Sequence, residues 1–163
     1  MIAGMDTLWT LVRFSHVLGV AVWLGGMLFL GLVAVPVARA MGDRGASRAL
    51  ITGVAKRFGV VGAAAWALIF VTGMGLMSKR EITFAELPDS VYGQKLLAKF
   101  ILLMLIGVAV VLHGLWQGPR VRVADEAGDE AAMRKWKMIG GLLDSFMLLA
   151  TLVALWLATS LIA

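Results

Sequence analysis

Four long apolar runs constrain this chain more than any other feature of its sequence. They cover approximately Leu8–Val37, Phe58–Met77, Lys95–Gln117 and Met138–Ile162. Each run has the roughly 20 residues that an α-helix needs to cross about 30 Å of hydrocarbon. The composition, 61% hydrophobic and 15% charged residues, is likewise that of an integral membrane protein. We therefore predict an all-α, antiparallel up-down-up-down four-helix bundle that forms a single transmembrane domain over residues 1–163.

The positions of the basic residues predict how these helices are oriented. The connections after the first and third runs carry most of the charge, namely Arg39, Arg44, Arg48, Lys56 and Arg57, and Arg120, Arg122, Arg134, Lys135 and Lys137. The second connection has only Lys79, Arg80 and Lys95. Because Lys and Arg accumulate on the cytoplasmic side, both chain termini are expected on the outer, periplasmic side. This pattern indicates a multi-pass membrane protein in which the first and third connections face the cytoplasm.

The composition limits both the partners and the cofactors that this chain can have. The net charge of +5 is not arranged as a basic stripe interleaved with aromatic residues, so we expect the lipid bilayer and not nucleic acid as a partner. A homo-oligomer is compatible with the sequence. The chain has no cysteine, which excludes thiolate metal sites and iron–sulfur clusters. Any metal or cofactor would have to use His, Met, Lys, carboxylate or backbone groups.

Apart from Lys95 at the edge of the third run, five ionisable residues lie inside the apolar runs, where such groups are costly and often functional. They are Arg13, His16, Lys99, His113 and Asp144. Their expected depths in the membrane divide them into two groups, since Lys99 and His113 are fourteen residues apart, or about 21 Å along a helix. His16 and Lys99 fall near the outer side, and His113 and Asp144 near the inner side. The two histidines are therefore not expected to share a site, and the inner pair is either a structural hydrogen bond or a proton or ion relay.

Methionines near the outer end of the second run suggest a second kind of site. Met74 and Met77 are expected at a depth similar to that of His16, and thioethers are soft ligands suited to Cu(I). The alternatives are that the methionines fill the core and that His16 is a hydrogen-bonded packing residue. Trp23 shares a helix face with His16, lies at mid-depth and is expected to pack internally. Arg13 is expected near the outer headgroups.

An ordered set of short motifs resembles the stand-alone members of the CopD (copper resistance D) family. The motifs include His16 to Gly26 with Trp23-Leu24-Gly25-Gly26, Pro36, Lys56 to Gly62, Thr72-Gly73, Gly93 to Lys99, Leu112-His113 and Gly118-Pro119-Arg120. They extend over roughly Leu8–Arg122 and, more loosely, the last run. The resemblance implies a four-helix inner-membrane domain that handles copper, usually in uptake or resistance. In some members it also implies a periplasmic copper carrier as partner.

The chain is also similar, more distantly, to the HemJ family of membrane protoporphyrinogen oxidases. In that family a histidine in the first helix and a lysine in the third are associated with haem b, and they correspond to His16 and Lys99. This resemblance implies that the two residues act as axial ligands. It is also the pair that depth selects.

Three hypotheses follow from the sequence. The first is a copper-handling membrane protein with a His/Met site near the periplasmic face. The second is a haem b redox protein or HemJ-like porphyrinogen oxidase, in which Arg13 and Trp23 would join His16 and Lys99 around the cofactor. The third is a noncatalytic membrane accessory subunit. Only the second hypothesis makes the protein an enzyme, a haem-dependent membrane oxidoreductase.

Overall fold

The computed structural model describes the backbone of residues 2–160 and the side chains of residues 6–160. Over these residues the regular structure is entirely helical, with no β-strand, which confirms the predicted all-α class. The predicted end of the fourth apolar run at Ile162 lies outside the described residues. The elements are α1 (Ile2–Phe29), a first π-helical segment (Leu30–Ala34), α2 (Val35–Ala40), α3 (Arg44–Lys79), a 3-10 helix (Phe84–Asp89), α4 (Val91–Val111), a second π-helical segment (Leu112–Gln117), α5 (Gly118–Glu126) and α6 (Glu130–Thr159).

Four continuous helices in the described chain are long and apolar enough to cross a membrane, as the sequence predicts. We number them spans 1 to 4, and they cover Asp6–Ala40, Arg44–Lys79, Val91–Glu126 and Glu130–Thr159. Their lengths of 30 to 36 residues correspond to about 45–54 Å of helix. Because the hydrocarbon layer is about 30 Å thick, the ends of the spans must project beyond it or tilt.

Span 2 begins fourteen residues before the apolar run that predicted it, at Arg44 instead of Phe58. The start is fixed by Asp43, whose Oδ1 accepts hydrogen bonds from the backbone N–H groups of Gly45 at 2.7 Å and Ala46 at 3.3 Å. Such a cap satisfies backbone donors at a helix N-terminus. Hydropathy marks the part of a helix inside the lipid, whereas the cap marks where the helix starts.

Span 4 shows the same difference, since it begins at Glu130 and the apolar run at Met138. Asp129 caps it through a 2.9 Å hydrogen bond from the backbone N–H of Ala132. Most basic residues that the sequence assigns to connections therefore lie within the helices, in the parts that extend beyond the apolar runs. They remain at the same ends of the spans, so the charge asymmetry is unchanged.

Contacts divide the chain into two compact units, of which the first ends at Ile82 and the second begins at Thr83. We call them the first and second hairpins. In the first, α1 packs on α3, with Gly19 against Ile69 and Gly26 against Phe58. Residue numbers rise on one helix as they fall on the other, so the two helices run in opposite directions. The crossing is close at Gly26, because a Cβ there would overlap Cε2 of Phe58 and lie 2.7 Å from Cδ2 and 2.8 Å from Cζ, so the Phe58 ring would have to move.

The second hairpin packs α4 and α5 against α6. Near one end Lys95 Nζ donates to the carbonyl of Ser160 at 3.1 Å, and near the other Gln117 Nε2 donates to the carbonyl of Trp136 at 2.8 Å. These pairings again require antiparallel helices. The arrangement of all four spans as one antiparallel bundle and one domain stays a prediction.

Each π segment precedes a proline that would otherwise interrupt a span. Pro36 follows the first segment and Pro119 the second. A proline ring inside an α-helix collides with the carbonyl four residues earlier, here that of Leu32 or Leu115. Both of these residues lie within the π segments, whose wider turn makes room for the ring. Spans 1 and 3 therefore pass through a proline without ending.

Candidate metal-binding site

The first hairpin holds His16 of α1 against Thr72 of α3. The half-buried His16 has its Nδ1 atom 2.9 Å from Oγ1 of Thr72, which is only 9% exposed. The Thr72 hydroxyl donates to the carbonyl of Leu68, one turn earlier on its own helix. A hydroxyl has one proton, so towards His16 its oxygen can only accept. With the hydroxyl proton on the Leu68 carbonyl, a neutral His16 would carry its own proton on Nδ1 and a lone pair on Nε2.

This hydrogen bond has the form that metal-binding histidines commonly show. When one ring nitrogen ligates a metal, the other usually donates a hydrogen bond that fixes the tautomer and the ring orientation. Thr72 supplies such a partner at Nδ1, so His16 would ligate a metal through Nε2. The same bond would also satisfy a histidine that only packs, so measurements of binding must separate the two interpretations.

Aromatic packing fixes the register that brings His16 opposite Thr72. Trp23, 5% exposed, lies two turns from His16 and packs between the helices, as the sequence predicts. Its ring centroid is 6.2 Å from that of Phe58, and a Cβ at Gly62 would lie 3.3 Å from its Cζ3. Trp23 thus holds α1 and α3 at a fixed spacing. A cofactor-binding role for Trp23 stays a prediction.

The two candidate methionines are half-buried on α3, beyond Thr72 towards the C-terminal end. The backbone of Gly73 lies beside the His16 ring, since a Cβ at Gly73 would lie 3.4 Å from Cε1. At 100° per residue, Met77 is about 40° around the helix from Gly73, whereas Met74 is about 100° away. Met77 is therefore the better placed of the two for a site beside His16.

The remaining outer candidates, Arg13 and Lys99, lie on different helices. Arg13 is exposed on α1, one turn before His16. Lys99 is half-buried on α4 and belongs to the second hairpin, so a His16–Lys99 pair of haem ligands stays a prediction. Among the residues that the structure describes, no group of three or more His, Asp or Glu side chains is arranged to hold a metal.

The second hairpin brings His113 and Asp144 together. His113 Nδ1 lies 3.6 Å from Asp144 Oδ1, and the two side chains are 37% and 60% exposed. This separation is too long for a hydrogen bond, and the buried Nδ1 atom has no hydrogen-bond partner. His113 lies in the second π segment, where the backbone turn is wider. The contact is therefore electrostatic and becomes an ion pair when His113 is protonated.

Comparison with known families identifies the chain. A match to the family described as copper resistance protein D covers residues 52–159, about two thirds of the 163 residues. The protein belongs to the CopD family. No curated protein and no solved structure matches it.

The CopD match covers some of the candidate residues and leaves out others. It includes Thr72, the two methionines, Lys99 and the His113–Asp144 pair. It begins after span 1 and so leaves out His16, Arg13 and Trp23. Residues from the matched part and from span 1 therefore meet at the His16–Thr72 contact.

Two polar residues of the CopD chain form important contacts that the sequence reasoning did not foresee. In the sequence Thr72 stands out only as part of a family motif, and nothing there pairs it with His16. Gln117, 6% exposed, was not singled out, although it ties α6 to the end of span 3 through the Trp136 carbonyl. A lone hydroxyl or amide inside an apolar run was the available signal, because such a group must find a partner when it is buried.

Proposed function

We propose that this CopD-family protein handles copper in the membrane, in uptake or resistance, and that its first hairpin binds the metal. His16 would ligate through Nε2 and Met77 through its sulfur, with Met74 as a further thioether. The observation that carries the proposal is the hydrogen bond between His16 Nδ1 and the Thr72 hydroxyl, which orients the ring and fixes its tautomer. Family membership supplies the link to copper.

The ligand set suits Cu(I) in an apolar setting. Imidazole and thioether are neutral, and thioether is a soft donor that favours Cu(I). Neutral ligands avoid placing a carboxylate anion between apolar helices, where an unpaired charge is costly. Thr72 contributes without touching the metal, since its hydroxyl holds the ring and its own proton is taken up by the Leu68 carbonyl.

The charge distribution supports a site that opens to the periplasm of a bacterial inner membrane. Basic residues cluster where spans 1 and 2 meet and where spans 3 and 4 meet, so these ends are assigned to the cytoplasm. His16 and the methionines lie towards the opposite end of the first hairpin. A periplasmic copper carrier would then deliver metal to this end.

The proposal is tested by the Cu(I) affinity of the detergent-purified protein, measured by competition with a Cu(I) chelator. Thr72→Val keeps the side-chain shape and removes the hydroxyl, and loss of such an orienting partner typically weakens metal binding about 10- to 100-fold. Thr151→Val is a matched control, since Thr151 is also buried and its hydroxyl also donates to its own helix, 2.7 Å from the Met147 carbonyl. The control should bind as tightly as the wild type.

His16→Ala should remove the site, and Met77→Leu should weaken it with little change in packing volume. Equal Cu(I) affinity in the wild type and His16→Ala would refute the proposal. The visible spectrum of protein from haem-replete cells tests the other ligand set. A Soret band that disappears in both His16→Ala and Lys99→Ala would assign haem b to these residues instead of copper.

A further inference from the structure

Arg120, near the start of α5, is held by two tryptophans. Its Cζ atom lies 4.5 Å from the ring centroid of Trp116 and 5.3 Å from that of Trp136 on α6. Its Nη1 donates to the carbonyl of Trp116 at 2.9 Å. The two indoles meet edge to face, with centroids 5.1 Å apart and planes at 90°. Ring faces attract a guanidinium, so these contacts fix the side chain in one orientation.

The support beneath this guanidinium is rigid. Gln117 donates to the backbone carbonyl of Trp136 and thereby fixes the position of that tryptophan relative to α5. Gly140 makes the contact possible, since a Cβ there would lie 2.7 Å from Gln117 Nε2. The orientation of Arg120 is thus set by the packing of spans 3 and 4 against each other.

Positive charge in this cluster is not balanced by a neighbouring acid. Within the described residues 6–160, no carboxylate forms an ion pair with Arg120. A second cation, Lys135, has its Nζ 5.6 Å from the centroid of Trp136. Of the five N–H donors of the guanidinium, one is used by the Trp116 carbonyl, which leaves four for another acceptor. Two cations on one aromatic pair create a site that favours an anion.

The position of Arg120 along span 3 indicates which anion this site would bind. Arg120 lies 21 residues after Lys99, about 32 Å of helix, and the residues between them are apolar apart from His113 and Gln117. This distance matches the thickness of the hydrocarbon layer, so Arg120 falls at its boundary, where tryptophans also concentrate. Phospholipid phosphates lie at this level.

We propose that Arg120, supported by Trp116 and Trp136 and assisted by Lys135, binds the phosphate of an anionic glycerophospholipid. The planar guanidinium matches two phosphate oxygens, and its charge-assisted hydrogen bonds strengthen near the low-dielectric bilayer. The apolar surface of the neighbouring spans would accommodate the acyl chains. Basic sites between membrane helices on the cytoplasmic side recognise lipid headgroups in this way.

The test is native mass spectrometry of the full-length protein in detergent with added phosphatidylglycerol or phosphatidylcholine. The wild type should retain phosphatidylglycerol preferentially, and Arg120→Gln should weaken its binding by about tenfold or more, as for loss of a hydrogen bond between charged groups. Arg122→Gln is the matched control. Arg122 is an exposed arginine two residues after Arg120, and it contacts neither tryptophan. Its replacement removes the same charge and should change phosphatidylglycerol binding less than about twofold.

Two further variants and one competitor make the result decisive. Arg120→Lys retains the charge but not the planar stacking, so it should bind phosphatidylglycerol more weakly than the wild type even if Arg120→Gln fails to fold. Equal losses in Arg120→Gln and Arg122→Gln would overturn the site in favour of diffuse surface charge. Displacement of the lipid by inorganic phosphate at comparable concentration would overturn the assignment to a lipid, whereas resistance to displacement would support it.

Discussion

Replacement of Gly26 by alanine tests whether the α1–α3 crossing is as close as the structure shows. An added methyl group would lie 2.7 Å from Cδ2 and 2.8 Å from Cζ of Phe58, whereas carbon atoms in favourable contact are about 3.5–4.0 Å apart. Cε2 of the same ring would be closer still, so the Phe58 ring must move by more than about 1 Å, and overpacking of this kind costs about 1–3 kcal/mol. Gly25 is an internal control, because a methyl group there meets nothing within 4 Å.

Alanine favours a helix over glycine by about 1 kcal/mol in both positions, so this contribution cancels when the variants are compared. We expect the free energy of unfolding of Gly26→Ala to be lower than that of Gly25→Ala by about 1–3 kcal/mol. The assay is reversible unfolding in mixed micelles with increasing SDS, followed by circular dichroism. Phe58→Leu should recover much of the loss in a double-mutant cycle. Equal stability of the two alanine variants would refute the close crossing.

Two further predictions concern single carboxylates. The Glu86 carboxylate accepts hydrogen bonds from the backbone N–H and the side chain of Thr83, which lowers its pKa below the ordinary 4.5. The stabilisation that the ionised Glu86 gives the fold is therefore fully present above pH 4.5 and is lost as the pH falls through the lowered pKa. Glu86→Gln should flatten the dependence of the thermal unfolding temperature on pH in acid. Parallel pH curves for the variant and the wild type would contradict this prediction. Asp144→Asn should leave copper accumulation near the wild-type level if the contact with His113 is structural, and a loss beyond about tenfold would instead indicate a proton or ion relay.

The membrane spans could be predicted because their signal is local. Twenty consecutive apolar residues have few alternatives to a membrane helix, and the part of the chain that the structure describes contains four helices of this kind. The burial of Trp23 was predictable for a similar reason, since a tryptophan at mid-depth has no polar surface to reach. Helix starts were less predictable, because Asp43 determines one through two hydrogen bonds that hydropathy does not register.

The partner of His16 could not be predicted because it depends on register. Thr72 is 56 residues away in sequence, and its position opposite His16 depends on how Gly26, Phe58 and Trp23 interlock. A shift of one residue along either helix would turn a different side chain towards the imidazole. Depth counting placed His113 near Asp144 because both residues lie at similar distances from the same basic helix ends, but it could not give their separation of 3.6 Å.

The same register connects the stability of the first hairpin with its proposed copper site. Thr72, Met74 and Met77 belong to the part of the chain that matches the CopD family, while His16 is supplied by span 1, which lies before that match. Only the packing of α1 on α3 brings the two parts together. A crossing forced apart at Gly26 should therefore weaken Cu(I) binding although no ligand is changed. Gly25→Ala should leave both the crossing and the affinity intact, so a parallel loss of stability and affinity in Gly26→Ala alone would show that the hairpin acts as one unit.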